Sequence, residues 1–236
     1  AVGRLAPVVS PEKAATLANA FGAGGESESI FYIRHLKPDG TKMYVVGITG
    51  DDINEYDLST AYDVSTASYN QNFSVSGQET NPRGVEFKPD GTKMYVVGTT
   101  GDDINEYDLS TAWDVSTASF NQNFSVTGND INEYSLTTAW DVSTASFVQN
   151  FSTGDSDQTS VAFSDDGTKM YTVGLTLDYI KEWDLTTAWS LTTVTLNQNS
   201  GEIYINPSSI HLVDDNKLYI VSNTYDQVVG YTLNTD

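Results

Sequence analysis

The feature that most limits how this chain folds is an internal repeat with uneven spacing. The tetrapeptide INEY begins at Ile53, Ile104 and Ile131, so the first two copies lie 51 residues apart and the last two only 27. Each copy runs into a closely similar phrase: "STAYDVSTASY", "STAWDVSTASF" or "TTAWDVSTASF". Repeats of about 20–50 residues are typical of folds in which each unit packs against its neighbours. The sequence therefore predicts a repeat architecture with one shortened unit.

One full repeat, read from Gly84, divides into four β-prone runs. These runs are "GVEF", "KMYVVG", "INEYDL" and "ASFNQNFSV", and turn residues separate them. The last run alternates two sets of side chains, as expected for a strand with two different faces. Four antiparallel strands in about 40–50 residues are typical of a β-propeller blade.

The copies of each run give the number of blades. The first two runs occur four times, with Lys42, Lys93, Lys169 and Lys217 opening the second run, whereas the third run occurs five times. The sequence predicts an all-β propeller of about four blades plus one half-unit near residues 127–152. The half-unit keeps the two outer strands and has lost the inner pair. We expect it to extend an adjoining sheet or to fill a gap in the ring.

The quoted runs also resemble known repeats. "EFKPDGTKMYVVG" and "AFSDDGTKMYTVG" are similar to the Pro-Asp-Gly blade motif of TolB-like and WD-repeat-like propellers. The longer phrase resembles repeats in uncharacterised marine phage and bacterial surface proteins. This resemblance covers residues 29–233 and implies the propeller fold, but propellers host many unrelated activities.

Residues 1–28 do not belong to the repeat, and we predict that they form a separate extension before the propeller domain of residues 29–236. "SPEKAATLANAFG" predicts a short helix, and the preceding "AVGRLAPVVS" predicts a strand. The last unit lacks its fourth strand, so this strand either closes the propeller or links it to a neighbouring chain. The residues expected to serve closure or assembly are Arg4, Leu5, Val8, Val9, Leu17 and Phe21.

Charge and composition exclude several classes of function. The chain has 32 acidic and 11 basic residues, which gives a net charge of −21. Such a surface repels nucleic acid, and no apolar run is long enough to span a membrane. The chain contains no cysteine, so neither a thiol nucleophile nor a cysteine-ligated zinc is present. We expect an extracellular, cell-surface or virion location.

Two histidines give the one candidate for catalysis. His35 and His211 occupy the same repeat position as Glu86 and Ala162. If the first strand of each blade lines the central channel, His35, Glu86 and His211 approach one another as a metal or acid–base site. The alternative is that this position simply faces solvent.

Two other sets of side chains are candidates for binding. The aromatic residues that follow the third strand either stack on sugars or pack between blades. They are Tyr62, Trp113, Trp140 and Trp189. The acidic turns are weak calcium candidates, but they lack the EF-hand spacing and more plainly serve as turns. Their carboxylates are Asp51, Asp52, Asp102 and Asp103.

From these observations the sequence predicts a non-catalytic virion or surface adhesion protein without a cofactor, although calcium remains an option. Several similar blades would make weak contacts that add up, with surface glycans as ligands and self-association or other surface proteins as partners. One alternative is a filament or surface-layer protomer linked through its N-terminal strand. The other is a secreted hydrolase or lyase with a channel-facing site.

Overall fold

A computed structural model describes most of the chain. The described residues are 31–47, 49–126, 130–177, 179–203, 207–213, 217–222 and 227–233. Within them, seventeen strands form five antiparallel sheets in which consecutive strands are neighbours. The predicted all-β propeller fold is confirmed, with four blades and one half-blade. The N-terminal extension and its six assembly residues lie outside the described residues.

The strand bounds follow the repeat. Blade 1 contains β1 (Phe31–Leu36), β2 (Lys42–Gly47), β3 (Asp52–Leu58) and β4 (Ala67–Ser74). Blade 2 contains β5 (Pro82–Phe87), β6 (Lys93–Gly98), β7 (Asp103–Leu109) and β8 (Ala118–Ser125). The half-blade contains only β9 (Ile131–Leu136) and β10 (Ala145–Phe151), which form a sheet of their own.

The remaining strands form two more blades. Blade 3 contains β11 (Gln158–Phe163), β12 (Lys169–Gly174), β13 (Tyr179–Leu185) and β14 (Val194–Glu202). Blade 4 contains β15 (Pro207–Val213), β16 (Lys217–Ser222) and β17 (Gln227–Thr232). Short 3-10 turns precede the fourth strands, at Val64–Thr66, Val115–Thr117, Val142–Thr144 and Leu191–Thr193.

The described residues divide into two compact units. One holds residues up to 126 together with 135–146, and the other holds 130–134 together with 147–233. In the first unit, a core that includes Tyr44, Phe87 and Tyr107 joins blades 1 and 2. In the second, a core that includes Tyr171, Ile210 and Ile220 joins blades 3 and 4. Apolar burial between neighbouring sheets therefore stabilises each unit.

Candidate functional site

The structure brings together two of the three residues predicted for an acid–base site. His35 lies on β1 opposite Tyr44, and Glu86 lies on β5 opposite Tyr95, so the two hold the same register position in blades 1 and 2. His35 Nδ1 lies 3.1 Å from Glu86 Oε1. In this geometry Nδ1–H donates to the carboxylate, which leaves the lone pair on Nε2.

Aromatic side chains surround the His35 imidazole. The ring stacks on Trp113 at 5.7 Å between centroids with an interplanar angle of 21°, and Phe87 lies 5.1 Å away. The His35 side chain is 15% exposed, and its Nε2 atom is buried without a hydrogen-bond partner among the described residues. Leaving a buried polar atom unpaired costs about 1–3 kcal/mol, so this nitrogen calls for an explanation, and a catalytic role is one.

His211, the third residue predicted for this site, lies at the same register position in blade 4. It faces Tyr219 across the ladder and is exposed, and Ala162 faces Tyr171 in blade 3. His211 and Ala162 belong to the second compact unit, whereas His35 and Glu86 belong to the first. Of the three residues predicted for this site, the structure therefore shows a contact between His35 and Glu86.

The four predicted aromatic residues share an unusual backbone. Tyr62, Trp113, Trp140 and Trp189 all have positive φ values, between 61° and 66°. Bulky residues rarely adopt this conformation. In the full blades a glycine of the first hairpin turn accepts the aromatic backbone N–H, as Gly91 does from Trp113 at 3.0 Å. The ring then covers that glycine so closely that a β-carbon there would overlap it.

The aromatic residues differ in exposure because both the preceding unit and the inner strands of their own unit differ. Trp113 is only 9% exposed, since its ring packs on Tyr44 and His35 of blade 1. Trp189 follows the half-blade, which has no inner strands, and is 55% exposed. Trp140 contacts Tyr95 of blade 2 but has no hairpin glycine of its own, and it is 40% exposed. Trp113 thus packs between blades, while the sugar-stacking role predicted for all four stays a prediction.

A repeated set of hydrogen bonds, which we call the inter-blade tie, links blade 1 to blade 2, blade 2 to the half-blade and the half-blade to blade 3. It consists of the glutamate of the third strand, the glutamine of the fourth strand and the following 3-10 turn. In blade 1, Glu55 Oε2 accepts from Gln71 Nε2 at 3.1 Å and from Val115 N of blade 2 at 3.0 Å. Gln71 Nε2 also donates to Asp114, which caps that turn, at 2.7 Å.

The tie recurs along the chain. Glu106 of blade 2 accepts from Val142 N of the half-blade at 3.1 Å, and Glu133 of the half-blade accepts from Leu191 N of blade 3 at 3.0 Å. Sequence reasoning missed the role of these glutamates. A glutamate repeated at the centre of the third strand was the available signal, because a buried carboxylate requires hydrogen-bond donors.

In the full blades a lysine completes the tie. Lys93 of β6 binds both Glu106 and Asp108, and Asn121 donates to Glu106 at 2.9 Å. Burial alone would raise the pKa of Glu106. The hydrogen bonds from Lys93, Val142 N–H and its two amide partners outweigh that effect and hold the pKa below its ordinary value of 4.5. Glu106 is therefore a buried anion with a full set of donors.

Two of the four acidic residues named as weak calcium candidates, Asp52 and Asp103, accept hydrogen bonds from amide groups. Asp52 accepts from Asn54 at 2.7 Å and from Asn72 at 2.6 Å, and Asp103 has the equivalent partners. Asp51 and Asp102 have positive φ values of 49° and 50°, as turn residues do. In the part of the chain that the structure describes, no cluster of three or more ligating side chains fits a metal ion. Nor is any described helix long and apolar enough to cross a membrane.

Comparison with known proteins supports the fold. No family model and no curated protein matches the sequence. A functionally unknown protein from Desulfotomaculum acetoxidans matches in structure with a TM-score of 0.52 at 11% identity, over 86% of this chain and 69% of that one. This likeness shows a shared propeller fold and nothing about activity.

Two further structural matches have an activity in their descriptions. The periplasmic gluconolactonase of Pseudomonas aeruginosa has a TM-score of 0.46 at 12% identity, over 72% of this chain and 53% of the enzyme. A candidate 6-phosphogluconolactonase from Bacteroides fragilis has a TM-score of 0.34 at 13% identity, over 89% of this chain and 53% of that protein. This chain thus spans about half the length of both proteins.

These findings correct two of the predictions made from the sequence. The predictions of a non-catalytic adhesion or virion protein and of a chain that is not an enzyme are contradicted by the descriptions of these two matches, which name lactonases. The physical reason is that the search for local motifs cannot detect catalytic groups that meet only in the fold. The side chains of His35 and Glu86, which come from different blades, lie 3.1 Å apart.

Proposed function

We propose that this propeller is a hydrolase in which His35 is the general base and Glu86 orients it. The observation that carries the proposal is the contact between His35 Nδ1 and Glu86 Oε1 at 3.1 Å, with the opposite ring nitrogen left without a partner among the described residues. A histidine whose second nitrogen is held by a carboxylate is the usual arrangement for proton transfer near neutral pH.

The proposed reaction is hydrolysis of an ester by an activated water molecule. His35 Nε2 takes a proton from water as the water oxygen attacks the carbonyl carbon. It then returns the proton to the alkoxide that leaves as the ester C–O bond breaks. Glu86 fixes the tautomer and stabilises the imidazolium, while Trp113 and Phe87 hold the plane of the ring.

Sugar lactones are the first substrates to test, because lactonase activity is what the descriptions of two structural matches name. The assay should follow acid release at constant pH, with gluconolactone and a panel of simple esters, and should subtract the spontaneous rate. We expect His35→Gln to lower the rate by about 10²–10⁴-fold, which is the usual contribution of a general base. Glu86→Gln should lower the rate less, by about tenfold, because Glu86 is 62% exposed and water can replace part of its effect.

The matched control is His211→Gln, which changes the same register position in blade 4. This variant should retain the wild-type rate. The proposal fails if the wild-type chain hydrolyses no member of the panel above the spontaneous rate. It also fails if His35→Gln, shown to be folded by circular dichroism, keeps full activity. An extracellular or surface location and self-association stay predictions from the sequence.

A further inference from the structure

The half-blade presents a sheet edge that the full blades cover. In blade 2 the inner edge of β7 pairs with β6 in an antiparallel register that places Lys93 opposite Asp108 and Tyr95 opposite Glu106. In the half-blade, β9 pairs with β10 only, and among the described residues no strand takes the place that β6 holds in blade 2. The inner edge of β9 is therefore a strand edge of the kind that accepts a further strand.

Side-chain exposure agrees with this open edge. In β3 and β7 the equivalent glutamates, Glu55 and Glu106, are fully buried, whereas Glu133 of β9 is partly exposed. Leu58 and Leu109 at the strand ends are buried, but their equivalent, Leu136, is 41% exposed. The loss of the inner strands thus uncovers the strand that they bury in every full blade.

The charge on this edge indicates what would cover it. In blades 1 and 3 the equivalent glutamate accepts from the lysine of the inner strand at 2.5 Å. At Glu133, the described donors reach only Oε2, from Gln149 at 2.6 Å and Leu191 N at 3.0 Å. The aspartate that shares the lysine in full blades is Ser135 here, and the asparagine of the fourth strand is Val148. The half-blade therefore keeps the carboxylate of Glu133, but no described lysine takes the place of the one that pairs with this glutamate in full blades.

We propose that the inner edge of β9 binds an extended strand of another polypeptide, which carries a lysine opposite Ser135 within reach of Glu133. Three of the inner strands that begin with lysine, β2, β6 and β12, show the sequence type that fits: Lys-Met-Tyr followed by small or β-branched residues. Backbone hydrogen bonds supply affinity, and the ion pair with Glu133 sets the register. This inference is independent of the proposed hydrolase activity.

A synthetic peptide tests the proposal directly. The peptide GVEFKPDGTKMYVVG, residues 84–98, contains the inner hairpin of blade 2. Titrated into the full chain and followed by calorimetry, it should bind saturably at one site per chain. A peptide with Lys93→Ala should bind about tenfold more weakly, because a charge-assisted hydrogen bond is lost. A scrambled peptide should not bind.

A gain-of-function variant makes the test sharper. Ser135→Asp restores the second carboxylate of a full blade and lies at an exposed position, so the fold should tolerate it. It should tighten binding of the lysine peptide about two- to fivefold and leave the Lys93→Ala peptide unchanged. The matched variant Asp108→Ser changes the same position in blade 2, where Lys93 already lies, and should leave peptide binding unchanged.

Three outcomes would overturn the proposal. The first is the absence of saturable binding to the full chain. The second is equal binding of the scrambled peptide, which would mean nonspecific adsorption. The third is equal affinity of the lysine and alanine peptides for both the wild-type chain and Ser135→Asp, since the ion pair would then play no part.

Discussion

Blade 2 and the half-blade share nearly the same outer-strand sequences, and they differ in whether the two inner strands are present. In both, the same 3-10 turn precedes the last strand, and it is capped by Asp114 in blade 2 and by Asp141 in the half-blade. Both also use a third-strand glutamate to bind the next unit. The outer pair is therefore sufficient to continue the inter-blade tie from one unit to the next.

The inner pair supplies what the half-blade lacks. It brings the lysine that neutralises the glutamate, and it brings the hairpin glycine that lies beneath the aromatic residue. It also contributes to the burial of Trp113, because Tyr44 donates to the Trp113 carbonyl at 2.7 Å and its ring packs on the indole. Trp140 accepts the equivalent bond from Tyr95 at 2.6 Å but is 40% exposed, because its own unit has no described inner strands. Trp189 of blade 3 follows the half-blade, in which no described residue takes the place of this tyrosine, and it is 55% exposed.

The largest expected difference between blade 2 and the half-blade is the loss of stability when the glutamate of the third strand is replaced. Glu106→Ala removes a fully buried carboxylate with four donors and leaves several of them unpaired, so it should lower the free energy of unfolding by about 3–5 kcal/mol. Glu133→Ala removes an acceptor with two described donors and should cost about 1–3 kcal/mol. Guanidinium denaturation measures both values. Equal losses would contradict the view that the lysine-bearing inner strand strengthens the tie.

A second comparison uses two glycines with the same backbone conformation. Gly91 in the hairpin of blade 2 has φ +73°, and Gly154 in the loop after the half-blade has φ +74°. An added methyl group at Gly91 overlaps the Trp113 ring, whereas at Gly154 it meets open space. Gly154→Ala should therefore cost only the backbone strain, about 1–2 kcal/mol.

Gly91→Ala should cost that strain plus the displacement of Trp113, about 2–5 kcal/mol together. Thermal unfolding gives the ranking, and the intrinsic fluorescence of the folded variant reports whether the buried indole has moved. If the two alanine variants unfold at the same temperature, close packing of the aromatic residue on the glycine has no energetic role.

Much of the fold could be predicted because its signals are local. Turn glycines, lysine-initiated second strands and the alternating fourth strand recur at fixed positions, and they predicted the blades and the half-blade. The shared repeat position of His35 and Glu86 was also sufficient to suggest that they meet, since equivalent residues of neighbouring blades lie side by side.

The rest could not be predicted because it depends on contacts that are distant in sequence. Glu55 binds the backbone of Val115, 60 residues further along, and nothing near Glu55 indicates that partner. The burial of Trp113 and the exposure of Trp189 likewise depend on side chains of other strands, although the local phrases are nearly identical. Local sequence therefore predicted each strand, whereas the role of each side chain depends on the strands and units that pack against it.

The smallest expected effect is on how thermal stability changes with pH. It concerns the residue that caps the 3-10 turn, which differs between blade 3 and the two units before it. The turn cap is Asp114 or Asp141 in the first two but Ser190 in blade 3. The hydrogen bond from Ser143, assisted by Gln122, holds the pKa of Asp141 below its ordinary value of 3.8. Because the folded state then binds the proton less readily than the unfolded state, this carboxylate stabilises the fold above pH 3.8. That contribution is lost as the pH falls through the lowered pKa.

Asp141→Ser copies the cap of blade 3 and keeps a hydroxyl acceptor for the turn. The variant should therefore show a shallower loss of thermal stability than the wild type as the pH falls from about 5 to 2, because one group of depressed pKa is gone. The reciprocal variant Ser190→Asp should steepen that loss only if Gln149 can supply the second donor, as Gln122 does for Asp141. A pH dependence that Asp141→Ser leaves unchanged would mean that the caps do not contribute to the acid sensitivity of the fold.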